Sequence, residues 1–274
     1  MRLGYSEAEL ATSPYASFFD PHMAPLPAHV VDALAQGAVA YELLPPVVRA
    51  AELQQSGYRQ VETGYAITPE GGAHIAVLTP MPGVRPHMWD WWFAWHGSEA
   101  LRYKLWHPQA HLDVAWADGR DDLAGYVGRT SQVAEYVGAE AFRATVSFVP
   151  PARMGLDEAR LAAAGEVAIC ARIGMVIGGV PLDTGWLLHH IRPVAGGAEM
   201  RSRFWLAGPY VRPFGWDNAL GAALGWLAAL LKPITAQQVR ELLVHDAQEM
   251  GHLAARLPAL YARFAANAAP AVAS

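Results

Sequence analysis

A single cysteine in 274 residues leaves no disulfide and no cysteine-rich zinc or iron–sulfur site. Any metal in this chain must therefore be held by histidine and carboxylate side chains. Charge is also sparse: Asp, Glu, Lys and Arg make up 16% of the sequence, and the net charge is −5 with His neutral. That balance offers no basic surface for nucleic acid. Long apolar runs are missing too. The longest, Ala219 to Leu231, carries two glycines and falls short of the ~18 residues that a membrane span needs. No Gly-rich phosphate loop, G-x-S-x-G elbow or H-E-x-x-H occurs, which argues against a nucleotide enzyme, an α/β-hydrolase and an ordinary zincin. Met1 to Leu10 carries Glu7 and Glu9 and has no basic-then-apolar signal pattern, so the expectation is a soluble, cytoplasmic protein with no membrane partner.

What is abundant is apolar content, 53%, ample for a sizeable core. Prolines 21, 25 and 27 precede a helix expected near Ala28 to Leu44, and Pro45-Pro46 separates it from a second near Val47 to Gln55, closed by Gly57. Residues 1–57 thus read as a helical N-terminal extension. From Tyr58 the pattern turns to short strands: Gln60 to Ile67 and Ala73 to Leu78 around a Pro69-to-Gly72 hairpin signal, then Thr130 to Val137, Phe142 to Phe148, Glu166 to Ile177, Trp186 to Val194 and Glu199 to Leu206. Turns are expected at Gly178-Gly179 and Gly196-Gly197. Thr235 to Gln238 has the form of a capping box, opening a helix that runs to about Phe264, with a frayed tail over 265–274. Meandering strands followed by one long helix imply an α+β domain over 58–264. A curved antiparallel sheet around such a helix encloses a cavity suited to a ligand.

Three constellations could carry chemistry. On the C-terminal helix, Leu242, His245, Glu249, His252 and Leu253 advance by three or four residues and share a face. The leucines belong to the apolar stripe, so His245 and Glu249 point inward, and an inward Glu needs a partner. Such a pair can ligate one metal ion, though alone it reads more readily as a His–Glu hydrogen bond or a solvated face. His107 and His111 flank Pro108, which rules out one regular helix through both, and nearby Tyr103 supplies a phenol. Glu135 shares a strand face with Ser131, Val133 and Val137; Glu140, at a turn, is its rival. Other features have plainer readings. The tryptophans of Met88 to His96 suit core packing before an aromatic pocket. Glu199 to Trp205 reads as a solvated sheet face, Cys170 as a buried thiol. His189 and His190 face opposite sides of a strand.

Taken together, Met88-Trp-Asp-Trp-Trp-Phe-Ala-Trp-His96, Arg102-Tyr-Lys-Leu-Trp-His-Pro-Gln-Ala-His111, Glu135-Tyr-Val-Gly138, Glu199-Met-Arg-Ser-Arg-Phe-Trp205 and His245-x-x-x-Glu249 resemble the 2,4-diacetylphloroglucinol hydrolase family, which includes phloretin hydrolase. The resemblance spans roughly Tyr58 to Leu260. It implies a Bet v 1-like helix-grip fold with a helical N-terminal extension. It also implies a Zn2+-dependent hydrolase that cleaves the C–C bond between an aromatic polyol ring and its acyl group. By resemblance, His111, Glu135, His245 and Glu249 are the zinc ligands, and Tyr103 contacts the substrate. A further histidine matches His189 or His190, with His190 preferred. A second tyrosine falls near Phe204 or Tyr210, and Tyr210 is taken as the catalytic candidate. Where members carry an Asn after the first His ligand, this chain has Val114. The partner implied is a small aromatic ketone; a second copy of the chain is left open. The rival readings are a zinc hydrolase of another β-diketone or aromatic polyketide, and a non-catalytic helix-grip binder of apolar ligands.

Overall fold

The computed structural model describes residues 2–122, 125–177, 180–231 and 233–265. The expected Gly178-Gly179 turn and nearly all of the C-terminal tail lie outside them. The N-terminal segment begins with α1 (Glu7–Thr12), capped by a reciprocal Ser6–Glu9 box, and continues with α2 (Ala28–Gln36). Helix α2 is shorter than expected because Gly37 adopts a left-handed φ of 81° at its C-cap. A 3-10 helix spans Val47–Gln54.

One antiparallel sheet follows. Strands β1 (Gly64–Ile67) and β2 (Gly72–Pro82) form the expected hairpin, and then come two helices, α3 (Pro86–Trp95) and α4 (Ala100–Trp106). After them lie β3 (His111–Trp116), β4 (Thr130–Val137) and β5 (Glu140–Val149), then a short α5 (Glu158–Ala164). The long strands β6 (Val167–Ile177), β7 (Val180–Val194) and β8 (Gly197–Ala207) follow, with a two-residue β9 (Arg212–Pro213) paired to β7. The order across the sheet is β1-β2-β8-β7-β6-β5-β4-β3.

Helix α6 (Ala219–Leu231) precedes the long α7 (Ala236–Ala254), opened by the Thr235–Gln238 capping box. The expected continuous helix to Phe264 is instead broken. Pro258 cannot donate to the Ala254 carbonyl and its ring would strike it, so α8 (Leu257–Phe264) starts anew. Helix α7 lies against the inner sheet face; Val239, Leu243, Met250 and Leu253 are wholly buried there with Ile75, Val77, Ile169 and Met200. The α3 tryptophans are core packing, with Trp89 and Trp92 fully buried. The result is a helix-grip: one antiparallel sheet holding one long helix. Among the described residues no single helix is long and apolar enough to cross a membrane.

The outer sheet face is covered as well, which corrects the solvated-face expectation for Glu199 to Trp205. Glu199, Arg201 and Arg203 are all buried beneath residues 44–62. Glu62 accepts from both Arg201, at 2.6 and 3.1 Å, and Arg203, while Arg201 also donates to the Leu53 carbonyl at 2.9 Å. Trp205 Nε1 donates to the Pro45 carbonyl at 2.8 Å. Glu62→Gln, which keeps shape but leaves two buried guanidinium groups facing no charge, is expected to destabilise the fold by about 3–5 kcal/mol. Chemical denaturation of the two proteins measures it.

Candidate metal centre

The members of the centre arrive on three elements, β3, β4 and α7. Chain reversal at His107–Ala110 ends α4 and starts β3 at His111, whose backbone N–H bonds the His107 carbonyl at 2.8 Å. His111 is completely buried, and its Nδ1 lies 2.9 Å from the Tyr103 carbonyl. A carbonyl only accepts, so the proton sits on Nδ1 and Nε2 presents a lone pair. The Tyr103 ring stacks on the imidazole at 3.7 Å between centroids and 6° between planes, fixing its orientation. A β-bulge between His111 and Asp113 separates this position from the regular β3–β4 ladder, in which His111 pairs with Glu135. Glu135 therefore faces inward with Val133. Glu140 sits exposed at the β4–β5 hairpin.

From α7, His245 and Glu249 reach the same point, one helical turn apart. Glu249 Oε2 lies 3.3 Å from His111 Nε2 and 3.7 Å from His245 Nε2, and Glu135 Oε2 lies 3.6 Å from His111 Nε2. Ligand atoms of His111, Glu135 and His245 all fall within 4.8 Å of one another. Burial holds the imidazoles neutral, lowering His111 to about 4 and His245 to about 3. The same burial, reinforced by the Glu135 charge, pushes the Glu249 carboxyl well above its usual range. Tyr103, raised by burial and by Glu135, stays protonated and donates its hydroxyl to Glu135.

These residues fit a divalent cation. His111 Nε2 is buried without a hydrogen-bond partner while facing carboxylate oxygens, an arrangement of lone pairs that repel one another unless a cation lies between them. A tetrahedron with arms of ~2.1 Å has edges of ~3.4 Å; three of the pairs lie near that, at 3.3–3.7 Å, and the others are wider, within 4.8 Å for His111, Glu135 and His245. Two neutral imidazoles and two carboxylates balance a 2+ ion, and the His111–Tyr103 carbonyl bond is the outer support that such ligands commonly have.

The remaining candidates divide. His190 is corrected: it lies on the outer sheet face, where its Nε2 bonds Glu166 at 2.8 Å. His189 is the inward one, with Nδ1 2.9 Å from Ser202 Oγ and its ring against Phe93 and Phe204. Burial lowers His189 to about 3. Tyr210 is also corrected. It packs on the outer face with Trp205 and Leu188, its hydroxyl 2.9 Å from His74 Nε2. Phe204 occupies the inner face instead, and Val114 is buried in the same core.

Sequence singles out His107 without a role and passes over Asp246. His107 stacks on His245 at 4.9 Å with its Nδ1 unpartnered, and Asp246 is wholly buried with both carboxylate oxygens unpartnered, Oδ1 lying 4.0 Å from His189 Nδ1. The His107-Pro-Gln-Ala-His111 spacing was a signal for the first. Nothing in the pattern of α7 distinguished Asp246 from a solvated residue.

Fold and site together define a helix-grip protein with a buried histidine–carboxylate centre suited to a divalent cation. The family model described as DAPG hydrolase, PhiG domain, matches residues 43–262, and the chain belongs to that family. It is 28% identical over 277 residues to a 2,4-diacetylphloroglucinol hydrolase from Pseudomonas sp, covering 96% of this chain and 92% of that protein. It is equally identical to the phloretin hydrolase of Eubacterium ramulus, covering 96% and 94%. Among solved structures, Ara h 8.0201 aligns with a TM-score of 0.41 and 9% identity, over 69% of this chain and 99% of that one.

Purified protein is expected to bind about one divalent ion per chain, and His245→Ala or Glu249→Gln to lower this to below ~0.1. Glu140→Ala is expected to leave it unchanged. Elemental analysis of the purified proteins reads all three.

Proposed function

We propose that this enzyme is a zinc-dependent hydrolase that cleaves the C–C bond between an acyl group and a phloroglucinol-type ring. The observation that carries the reading is the convergence of His111, Glu135, His245 and Glu249 beneath the protonated Tyr103 hydroxyl, in a chain belonging to this hydrolase family. The relatives' names supply the substrate class.

A divalent ion bound by the four ligands would supply Lewis acidity toward a carbonyl oxygen and toward water. The chain's own groups handle the harder part, which is the leaving carbon. A ring bearing several hydroxyls tautomerises to a ketone when its acylated carbon takes a proton, and the substrate then has the character of a β-diketone. Water oxygen bonds to the acyl carbon, the ring–acyl bond breaks, and its electron pair leaves on the ring as an enolate. Carboxylic acid and deacylated ring are the products. Tyr103 keeps its proton because burial and Glu135 both disfavour the phenolate. It is therefore a donor at the ring oxygen or carbon. His189, kept neutral by burial, would accept a hydrogen bond from a ring hydroxyl rather than its proton. Phe93 and Phe204 pack against His189, and a ring bound there would lie against apolar side chains shielded from bulk water.

A second reading is favoured by Phe204 and Val114. Both are apolar where the family resemblance leads one to expect hydrogen-bonding side chains, and a wall that lacks those donors discriminates less for ring hydroxyls. Under it, the same centre hydrolyses another β-diketone or an aromatic polyketide.

Incubating metal-loaded enzyme with 2,4-diacetylphloroglucinol, its monoacetyl analogue, phloretin and a simple β-diketone, and scoring released carboxylic acid, tests both. Acid from the acylphloroglucinols supports the first reading, acid from the β-diketone alone supports the second, and none from any of the four overturns both. Tyr103→Phe is expected to retain metal and fold while lowering kcat by about 100-fold or more, within the range that general acid–base groups contribute. An unchanged kcat removes Tyr103 from the chemistry.

A further inference from the structure

Three buried polar side chains meet between α7 and the paired strands β7 and β8. His189 and Ser202 stand directly opposite each other across the β7–β8 ladder, so both side chains project from the inner face. His189 Nδ1 lies 2.9 Å from Ser202 Oγ. Asp246, on α7, brings Oδ1 to 4.0 Å from the same nitrogen. Ser202 and Asp246 are wholly buried and His189 nearly so. Among the described residues neither oxygen of Asp246 has a hydrogen-bond partner, a costly state for a buried carboxyl. Burial and then the Glu249 charge push that carboxyl up, while the Ser202 hydroxyl, as a donor, pulls it back. A rotation of about 100° along α7 separates Asp246 from the ligand His245, so this cluster points to the sheet and not to the metal centre.

Donor and acceptor chemistry decides how the three groups connect. Ser202 has a single hydroxyl proton to give. If it gives that proton to a bare His189 Nδ1, Asp246 is left with no donor. If it gives it to Asp246, its oxygen is free to accept from Nδ1–H, and all three groups are matched. We propose that Asp246 is a positioning residue for His189: through Ser202 it fixes the imidazole proton on Nδ1. The other nitrogen, Nε2, at the opposite edge of a ring flanked by Phe93 and Phe204, then presents a lone pair. The consequence for catalysis rests on the hydrolase reading above. A bare Nε2 accepts a hydrogen bond from a ring hydroxyl and has nothing to accept from the corresponding methyl ether. With Phe204 and Val114 apolar, this acceptor carries the discrimination for a hydroxylated ring.

Nitrogen NMR of the zinc-loaded full chain, carrying isotopically labelled histidine, reads the tautomer without any turnover. His189 is assigned by the signals that vanish in His189→Gln. Wild type is expected to show the proton on Nδ1. In Asp246→Leu, which removes the acceptor, Ser202 has only the imidazole to donate to, and the proton is expected on Nε2 with metal content unchanged. A wild type protonated on Nε2, or an Asp246→Leu protein still protonated on Nδ1, overturns the proposal. If Asp246→Leu does not fold, Asp246→Met, a more adaptable apolar side chain, takes its place with the same two readings. Kinetics supply the second arm. Asp246→Leu is expected to lower kcat/KM for the acylphloroglucinol by ~10-fold, what one hydrogen bond contributes, and to have no further effect in a His189→Gln background. An equal loss in both backgrounds marks a merely structural role and overturns the positioning. Inactivity of the wild type toward every ketone tested sinks the hydrolase reading alone, because the spectra still decide how Asp246, Ser202 and His189 are joined.

Discussion

Four lone-pair-bearing groups buried against one another form the constraint around which this molecule is organised. His111 Nε2, its proton committed to the other nitrogen by the Tyr103 carbonyl, faces Glu249 and Glu135 at 3.3 and 3.6 Å. Without positive charge between them, desolvation and mutual repulsion both oppose the arrangement, and the protein's only relief is to protonate carboxylates. The raised Glu249 carboxyl and the Tyr103 hydrogen bond to Glu135 express that pressure. The same pressure, relieved by a cation, becomes binding energy: a site that is costly when empty of charge is selective for groups that bring two positive charges.

The fold makes such a centre rigid. Helix α7 supplies His245 and Glu249 one turn apart, held along its length by wholly buried leucine, valine and methionine contacts to the sheet. Strand β3 supplies His111 at its first residue, and β4 supplies Glu135 directly across the ladder. Tyr103 joins the two regions, stacking on His111 and donating to Glu135. Moving any one of these elements disturbs at least two ligands.

Spacing places the pairs but does not join them; the family resemblance is what brings them together with His111 as one site. His245 and Glu249 share a face by helical period, and Glu135 shares one with Val133 by strand period. What failed was the choice of sheet face for β7 and β8. Alternation reports burial only when one face is wet. Here the N-terminal segment covers the outer face, so His190, Arg201 and Cys170 are as buried there as His189 and Ser202 are within. A bulge at Ile173/Gly174 in the β6–β7 ladder adds a register shift that spacing cannot reveal. Pro258 was visible, and its consequence for the last helix follows from a missing N–H. An all-apolar stretch such as α6 has no polar–apolar period to read.

The separation between ligands and walls bears on how specificity can change in such a protein. The four metal-site residues come from β3, β4 and α7, whereas Phe93 and Phe204, against His189, come from α3 and β8. None of the wall residues bonds a ligand, and each is an apolar side chain whose replacement by one of similar volume costs little in packing. A pocket wall can therefore trade a hydroxyl or amide for Phe204 or Val114 without disturbing the centre. The trade is asymmetric. Adding an apolar surface relaxes a demand for ring hydroxyls, while restoring a buried hydrogen-bond donor would reject every substrate that leaves it unpaired.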